Sequence, residues 1–321
     1  MKPQLTTKVV IYVALVANLL TCLLKFGAAG WTGSSVMLSE GVHSTAEMGN
    51  EALLLYGLYR ANKPADHEHP LGYGRELYFW SFAVALLLFA LGAIVSIDQG
   101  IEQMLKPVRN HDPTVSYVVL GFAALIDGTS WWIELRSFKG ERRYRDVLGA
   151  IFRSKDPPSF VVLFEDSASL IGILIAFAGT YLSVRLNLPM LDGAASVLIG
   201  LVIGAMALLL ARETKSLLIG ERADQSIVDS ISEIAEDMEG VSHANGILTV
   251  HLAPKQILAA LSLEFDDDLS TQSIESKVAE LEKNVRQKHP EVVALFVKPQ
   301  SHDRFLKGIE RRFPAARDAD R

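Results

Sequence analysis

Five polar residues interrupt an otherwise apolar stretch near the start of the chain, SEGVHSTAEMGNEALLLYGL. They are Glu40, His43, Glu47, Asn50 and Glu51. On a helix, residues three and four positions apart lie on one face, so Glu40, His43 and Glu47, together with Asn50 or Glu51, form a single polar stripe. An ionisable group at the middle of a bilayer costs about 2.5–3.5 kcal/mol to insert, so we expect the polar stripe to face the interior of a helix bundle.

Within the polar stripe, His43 and Glu47 have the spacing of two metal ligands on a helix. Side chains one turn apart have Cβ atoms about 5–6 Å from each other. An imidazole nitrogen and a carboxylate oxygen at that spacing can bind one ion at about 2.0–2.2 Å. Two ligands do not complete a site, and the alternative is a hydrogen-bonded His/Glu pair without a metal.

The missing ligands are expected on a later apolar stretch, SFVVLFEDSASLIGILIAFAGTYL, in which Glu165 and Asp166 are the only acids. Adjacent residues on a helix are about 100° apart, so only one of the two can face the polar stripe squarely. We favour Asp166, because Ser169 and Gly172 continue its face with small side chains that let helices approach. Glu165 is expected beside the site or as an acceptor outside it.

A histidine, a glutamate and an aspartate, with water or a fourth carboxylate, fit a tetrahedral site for zinc or a similar first-row metal. Such ligands lose protons on binding a metal and can regain them when it leaves. The ordinary pKa of a histidine is about 6.5, so protons compete with the ion near neutral pH. This chemistry favours exchange of a divalent metal for protons by alternating access to a mid-membrane site.

The composition is that of a membrane domain joined to a soluble one. Half of the 321 residues are hydrophobic, the mean hydropathy is +0.24 and the formal net charge is -6. The single cysteine, Cys22, excludes an intrachain disulfide. Six segments are long and apolar enough to cross about 30 Å of hydrocarbon. They lie at roughly 8–30, 35–59, 77–100, 113–135, 159–184 and 190–212.

Lysine and arginine residues concentrate before the first predicted span and after the second and fourth. By the positive-inside rule, this side and both termini are cytoplasmic. No long targeting segment precedes the first span, so we expect an integral protein of a bacterial inner membrane, with an organelle membrane as the alternative. The basic cluster RSFKGERRYR fits this topology and contact with lipid, and no nucleic-acid motif accompanies it.

After Arg212 the pattern becomes that of a small soluble domain. Apolar residues at helical spacing predict helices around 227–238 and 274–285. Three apolar segments, at 247–254, 256–265 and 291–299, predict strands. The order is α-β-β-α-β, which predicts a small cytoplasmic α+β domain with two helices on one face of a three-stranded sheet. The predicted parts are a six-helix transmembrane domain at 1–213, the cytoplasmic domain at 214–300 and a charged, mobile tail at 301–321.

Several separate stretches resemble the cation diffusion facilitators, a family of exporters of zinc and related metals. They are TGSSVMLSEGVHSTAE, ANKPADHEHPLGYGRE, EDSASLIGILIAFAG and the α-β-β-α-β domain. The resemblance covers nearly the whole chain. It implies a homodimer of six-helix protomers in a lipid membrane, with metallochaperone-like cytoplasmic domains, that works as a divalent metal/proton antiporter.

The resemblance also implies a transport site with two ligands from the second span and two from the fifth. His43 and Glu47 match the first pair, although aspartate is commoner at the second position. Asp166 matches one ligand of the fifth span, but the histidine expected four residues earlier is Val162. The form LFEDSA resembles a branch of the family with a Glu-Asp pair here, which makes Glu165 a candidate fourth ligand.

The loop PADHEHPLGYGRE resembles the interfacial metal site of the family. Asp66 and His69 match two of its ligands, and Tyr73 stands where some members have a histidine. The alternative is a turn at the membrane surface that the loop's prolines and glycines fix without a metal.

Metal sites in the cytoplasmic domain are expected to be lost, because Asn245, Ser262 and Lys298 stand where the resemblance places ligand histidines. The dimer would then be held by packing instead of a bridging metal. His243 and His251 lie nearby in sequence and are interpreted as structural.

Zinc is the favoured cargo, and iron, cobalt, cadmium and manganese remain open, because ligand type separates these metals poorly. An intramembrane metalloprotease would need two histidines one turn apart with a glutamate beside the first, which HSTAE does not supply, so no enzyme is expected. A second alternative is a membrane metal sensor or scaffold that does not transport and acts through its cytoplasmic domain.

Overall fold

The computed structural model describes residues 7–32, 35–106, 113–141 and 155–312. They divide into two compact units between Leu218 and Ile219. The described part of the first unit contains six long helices. They are α1 (Thr7–Thr32), α2 (Ser35–Ala61), α3 (Glu76–Leu105), α4 (Pro113–Glu141), α5 (Pro157–Leu186) and α6 (Met190–Ile219).

Among the described residues, five helices are both long and apolar enough to cross a membrane, namely α1, α3, α4, α5 and α6. Helix α2 is 27 residues long and packs against both α1 and α3. A span needs about 20 residues, so α2 is long enough. Its polar stripe is what lowers its hydropathy, and the mostly helical membrane architecture agrees with the predicted fold class.

The membrane bundle buries an apolar core and exposes an apolar outer surface. Helix α1 packs along α2 and α4, and α4 packs along α5. Ile11, Leu54 and Phe160 are buried in the core, whereas Leu125 and Leu174 are 68% and 70% exposed. Lipid tails are apolar, so the lipid-facing surface of a membrane helix is expected to be apolar and gains nothing from being buried.

Helices α3 and α6 approach each other through glycines. A Cβ atom on Gly100 of α3 would lie 2.7 Å from the backbone nitrogen of Val197, and one on Gly193 would lie 2.7 Å from the Gly100 carbonyl oxygen. Only glycine fits such a close backbone approach, which is common between membrane helices. The middle of α3, Leu88–Ile94, is π-helical.

The second unit has the predicted α-β-β-α-β order. Strand β1 pairs antiparallel with β2, and β2 pairs parallel with β3, in a sheet of order β1-β2-β3. Helices α7 and α8 pack on one face, where Ile231 and Leu281 contact alternate residues of β2 such as Leu261. The elements are α7 (Gln225–Glu236), β1 (Val241–Ala253), β2 (Gln256–Phe265), α8 (Thr271–Lys288), β3 (Val292–Pro299) and α9 (His302–Arg312).

Two features of this unit differ from the prediction. Strand β1 begins at Val241, six residues before the predicted strand. Part of the tail forms α9, which the sequence analysis did not predict. Its Phe305 lies over Gly246 of β1, where a Cβ atom would come within 2.6 Å of the phenyl ring. A glycine therefore makes room for the helix on the strand.

Candidate metal centre

Among the described side chains, helices α2, α4 and α5 bury six carboxyl groups in the membrane bundle, which we call the acid cluster. They are Glu47, Glu51, Asp127, Glu134, Glu165 and Asp166, each less than one-tenth exposed. Lys25 is the only buried lysine or arginine among the described residues. An excess of buried negative charge is costly at low dielectric, so the acid cluster needs protons or cations to neutralise it.

The predicted ligands Glu47 and Asp166 come together in this cluster. Glu47 of α2 is close enough to both Glu165 and Asp166 of α5 for their charges to interact. All three side chains are buried, with exposures of 4%, 5% and 6%. The structure therefore brings one acid of the polar stripe to the Glu-Asp pair of the fifth span.

Glu165 is held by a hydrogen bond from the polar stripe. Asn50 Nδ2 donates to Glu165 Oε1 at 2.9 Å and so ties α2 to α5. Glu51, the last residue of the stripe, is tied to α1 instead, because Asn18 Nδ2 donates to its Oε1 at 2.7 Å. The adjacent residues Asn50 and Glu51 thus form hydrogen bonds with different helices, α5 and α1.

The side chain of His43 lies outside the part of the chain that the structure describes, and so does that of Glu40. The next residue, Ser44, accepts a hydrogen bond from Lys25 Nζ at 2.9 Å. Among the described side chains, no group of three or more histidine, cysteine, aspartate or glutamate residues is arranged to hold a metal ion. The ligand set that includes His43 stays a prediction.

Val162 is completely buried, one turn before Asp166, and packs in the apolar core. The fifth span therefore has no imidazole at the position where the family pattern has one. Glu134 of α4 lies in the acid cluster, although it was not among the ligands predicted from the sequence. It follows Asp127 by two helical turns, so two acids on one face of an apolar span were the signal that could have found it.

Residues 11–219 match the sequence model described as the cation efflux transmembrane domain. The chain belongs to the cation diffusion facilitator family. The resemblance drawn from its motifs is confirmed, and the chain is an integral membrane protein.

Three relatives illustrate the range of cation diffusion facilitators that are similar to this chain. Metal tolerance protein C4 of Arabidopsis thaliana is 32% identical over 244 residues, which are 71% of this chain and 53% of that protein. The mitochondrial proton-coupled zinc antiporter SLC30A9 of Mus musculus is 25% identical over 97% of this chain and 58% of its own length. The chain thus spans little more than half of these two proteins. The manganese efflux system protein MneP of Bacillus subtilis is 24% identical over 92% of this chain and 96% of its own length.

The loop after α2 in this cation diffusion facilitator is a turn held by Asp66. Asp66 Oδ1 accepts the backbone N–H groups of Glu68 and His69 at 3.0 and 2.7 Å, and its Oδ2 accepts the Tyr73 hydroxyl at 2.6 Å. The Tyr73 hydrogen bond and then the His69 backbone hold the pKa of Asp66 below its usual range, and the same bond raises the pKa of Tyr73.

The side chains of Asp66 and His69 are close to each other, but they do not face a common position where a metal could bind. His69 Nδ1 lies 3.6 Å from Asp66 Oδ1, both side chains are half exposed, and the imidazole ring packs on Tyr73 with centroids 4.2 Å apart. Donors within the turn hydrogen-bond to both oxygens of Asp66. A metal role for Asp66 and His69 stays a prediction.

In the C-terminal unit, Asn245 joins the sheet to the tail. Its Nδ2 donates to the Gln300 carbonyl at 2.7 Å, and its Oδ1 lies 2.9 Å from His302 Nδ1. His251 is buried with Nδ1 3.4 Å from the Ala253 carbonyl, and His243 packs edge-on against His302. These contacts agree with the structural roles predicted for the two strand histidines.

Proposed function

We propose that this chain exports a divalent metal cation, preferentially zinc, across a membrane in exchange for protons. The observation that supports this most directly is the approach of Glu47 on α2 to Glu165 and Asp166 on α5 within the buried acid cluster. Together with His43, these residues form the proposed transport site, in which Glu165 is a ligand or holds the site through Asn50.

The acid cluster supplies the physical reason for coupling metal to protons. Several carboxylates packed together at low dielectric repel each other, so the empty and loaded site must both be neutralised. A dication does this when bound, and protons do it after the metal leaves. Exchange of one for the other at a site that opens alternately to each side is antiport.

The choice of metal depends on the balance between imidazole and carboxylate ligands. Imidazole suits zinc, whereas carboxylate oxygens suit manganese as well. Relatives of both kinds occur, one named a zinc antiporter and one a manganese efflux protein. We propose zinc because of His43, with iron, cobalt, cadmium and manganese as the competitors to be measured.

The direct test uses the purified full chain in proteoliposomes that contain a pH-sensitive dye. Zinc added outside is expected to enter while protons leave, so the internal pH rises, and zinc should act more strongly than manganese, iron, cobalt or cadmium. Protein-free liposomes are the control. A folded protein that binds zinc but causes no metal uptake and no pH change would favour the alternative, a sensor or scaffold acting through the C-terminal domain.

For orientation, we propose that both termini are cytoplasmic, because basic residues flank that side of the predicted spans. Arg60, Lys63 and Arg75 lie around the loop that would face the cytoplasm between α2 and α3. A bacterial inner membrane is the proposed location. The Mus musculus relative is named as mitochondrial, so an organelle membrane is the alternative location.

We also propose a homodimer held by the face of the C-terminal sheet that does not pack against α7 and α8. This face carries a groove of about 590 Å³ lined by residues such as Ala260 and Phe305, and its Leu248 and Phe296 are 54% and 60% exposed. Exposed apolar patches of this kind mark interaction surfaces. The mass of the purified complex is expected to be that of two chains, and Phe296→Asp is expected to shift it toward one. A monomeric wild-type chain would contradict the proposal.

A further inference from the structure

Glu134 is a buried acid that neither the polar stripe nor the family pattern accounts for. It lies on α4, which contributes no ligand to the predicted site, and its side chain is 2% exposed. We propose that Glu134 is a direct ligand of the transported cation and forms with Asp166 the carboxylate pair that replaces the imidazole missing at Val162. This inference rests on the proposed transport function and extends its site to a third helix.

The first support is the contact between the two carboxyl groups. Glu134 and Asp166 lie within hydrogen-bonding range of each other. Ser130 Oγ donates to Glu134 Oε1 at 3.1 Å, but Glu134 Oε2 and Asp166 Oδ2 are both buried without a donor. A buried carboxylate oxygen without a partner is costly, and most such atoms in folded proteins are satisfied.

Two facing carboxylates with free oxygens are stable only when something positive lies between them. In the apolar interior of a bundle, a proton or a cation is the only such partner that the surroundings allow. Carboxylate oxygens bind zinc at about 2.0–2.2 Å, so a pair already in contact can close on one ion with little movement. The two oxygens without donors, Glu134 Oε2 and Asp166 Oδ2, therefore have lone pairs available to coordinate a cation.

The second support is the position of Glu134 among the other acids. Its charge interacts with those of Glu165 and Glu51, while Asp166 interacts with Glu47. The carboxylates of α2, α4 and α5 are thus close enough for their charges to interact, and the pair in hydrogen-bonding range is Glu134 and Asp166. Asp127, two turns away on α4, instead accepts the Ser169 hydroxyl at 2.9 Å, which gives it a role in holding α4 against α5.

A ligand on α4 has a consequence for selectivity. The pattern of the family places a histidine at the position of Val162, and here a carboxylate on another helix takes its place. Replacing an imidazole nitrogen with a carboxylate oxygen gives the site a harder Lewis-base ligand. This weakens its preference for zinc over manganese. Glu134 would then determine part of the metal specificity of this chain.

Isothermal titration of the purified full chain with zinc, and visible absorption after loading with cobalt, test the inference. Glu134→Gln keeps the shape of the side chain and the acceptor for Ser130 but removes the charge. Loss of an outer-shell partner already costs about 10- to 100-fold in metal affinity, and we expect Glu134→Gln to cost at least as much and to change the cobalt spectrum. Glu134→His is expected to recover zinc affinity, with a cobalt spectrum different from that of the wild type.

Asp192→Asn is the matched control. Asp192 is a buried acid of the same bundle, but its oxygens accept Gln103 Nε2 at 2.8 Å and Thr180 Oγ1 at 3.0 Å. This variant is expected to bind zinc and cobalt like the wild type. A purely structural role for Glu134 predicts no change in the cobalt spectrum, because removing one of two repelling charges leaves the metal ligands in place.

The outcomes separate this inference from the function on which it rests. If Asp166→Asn loses metal binding while Glu134→Gln keeps the wild-type affinity and spectrum, Glu134 is not a ligand and the transport proposal stands. If the folded wild-type chain binds no divalent metal, both proposals are wrong. If Glu134→Gln does not fold, a wild-type cobalt spectrum in Glu134→His overturns the inference.

Discussion

Asp166→Asn is expected to abolish metal transport in proteoliposomes while the chain still folds. The amide has the size of the carboxylate but carries no charge, so it is a poor ligand for a first-row dication. We expect metal uptake to fall by at least the 10- to 100-fold, about 1.4–2.7 kcal/mol, that even outer-shell changes cost. Folding should survive, because Asp166 sits among other buried acids and its removal lowers their mutual repulsion.

Glu47→Gln and Asp192→Asn complete this experiment. Glu47→Gln removes the α2 carboxylate of the same site and should reduce transport as strongly, and the double variant should be little worse than either single one, because residues that act as a unit are not additive. Asp192→Asn lies outside the acid cluster and should transport normally. Wild-type rates in both Asp166→Asn and Glu47→Gln would show that the site is elsewhere.

Gly100→Ala is expected to destabilise the protein although it adds only one methyl group. The new Cβ atom would lie 2.7 Å from Val197 N and 2.8 Å from the Gly193 carbonyl oxygen, so α3 and α6 would have to move apart. Overpacking of this kind typically costs about 1–3 kcal/mol, and backbone atoms yield less than side chains, so we expect the upper part of that range. A lower unfolding temperature of the purified protein is the measurement.

Gly121→Ala on α4 is the control for this substitution. Its Cβ atom would meet nothing within 4 Å, and the position is exposed. Alanine is favoured over glycine in a helix by about 1 kcal/mol, so this variant is expected to keep or gain stability. Equal effects of the two substitutions would contradict close packing of α3 on α6.

The amino-acid sequence by itself determined the elements and the chemistry they carry. Apolar length identified five of the six long helices of the bundle, and the spacing of apolar residues in the soluble part predicted the order α-β-β-α-β. Acids inside apolar stretches identified Glu47, Glu165 and Asp166, all of which are buried in the structure. Each of these signals is local, because the cost of placing a charge in lipid and the spacing of a helix depend only on neighbouring residues.

The contacts of the acid cluster were decided by the tertiary structure. Glu134 and Asp166 are 32 positions apart, and they meet because α4 and α5 each turn a particular face toward the other. The period of a helix identifies its faces but does not fix which face meets which neighbour. The same holds for Asn50, which binds Glu165, while the adjacent Glu51 binds Asn18 on α1. Packing sets the rotation of each helix about its axis, and this rotation determines which buried carboxylates can share an ion.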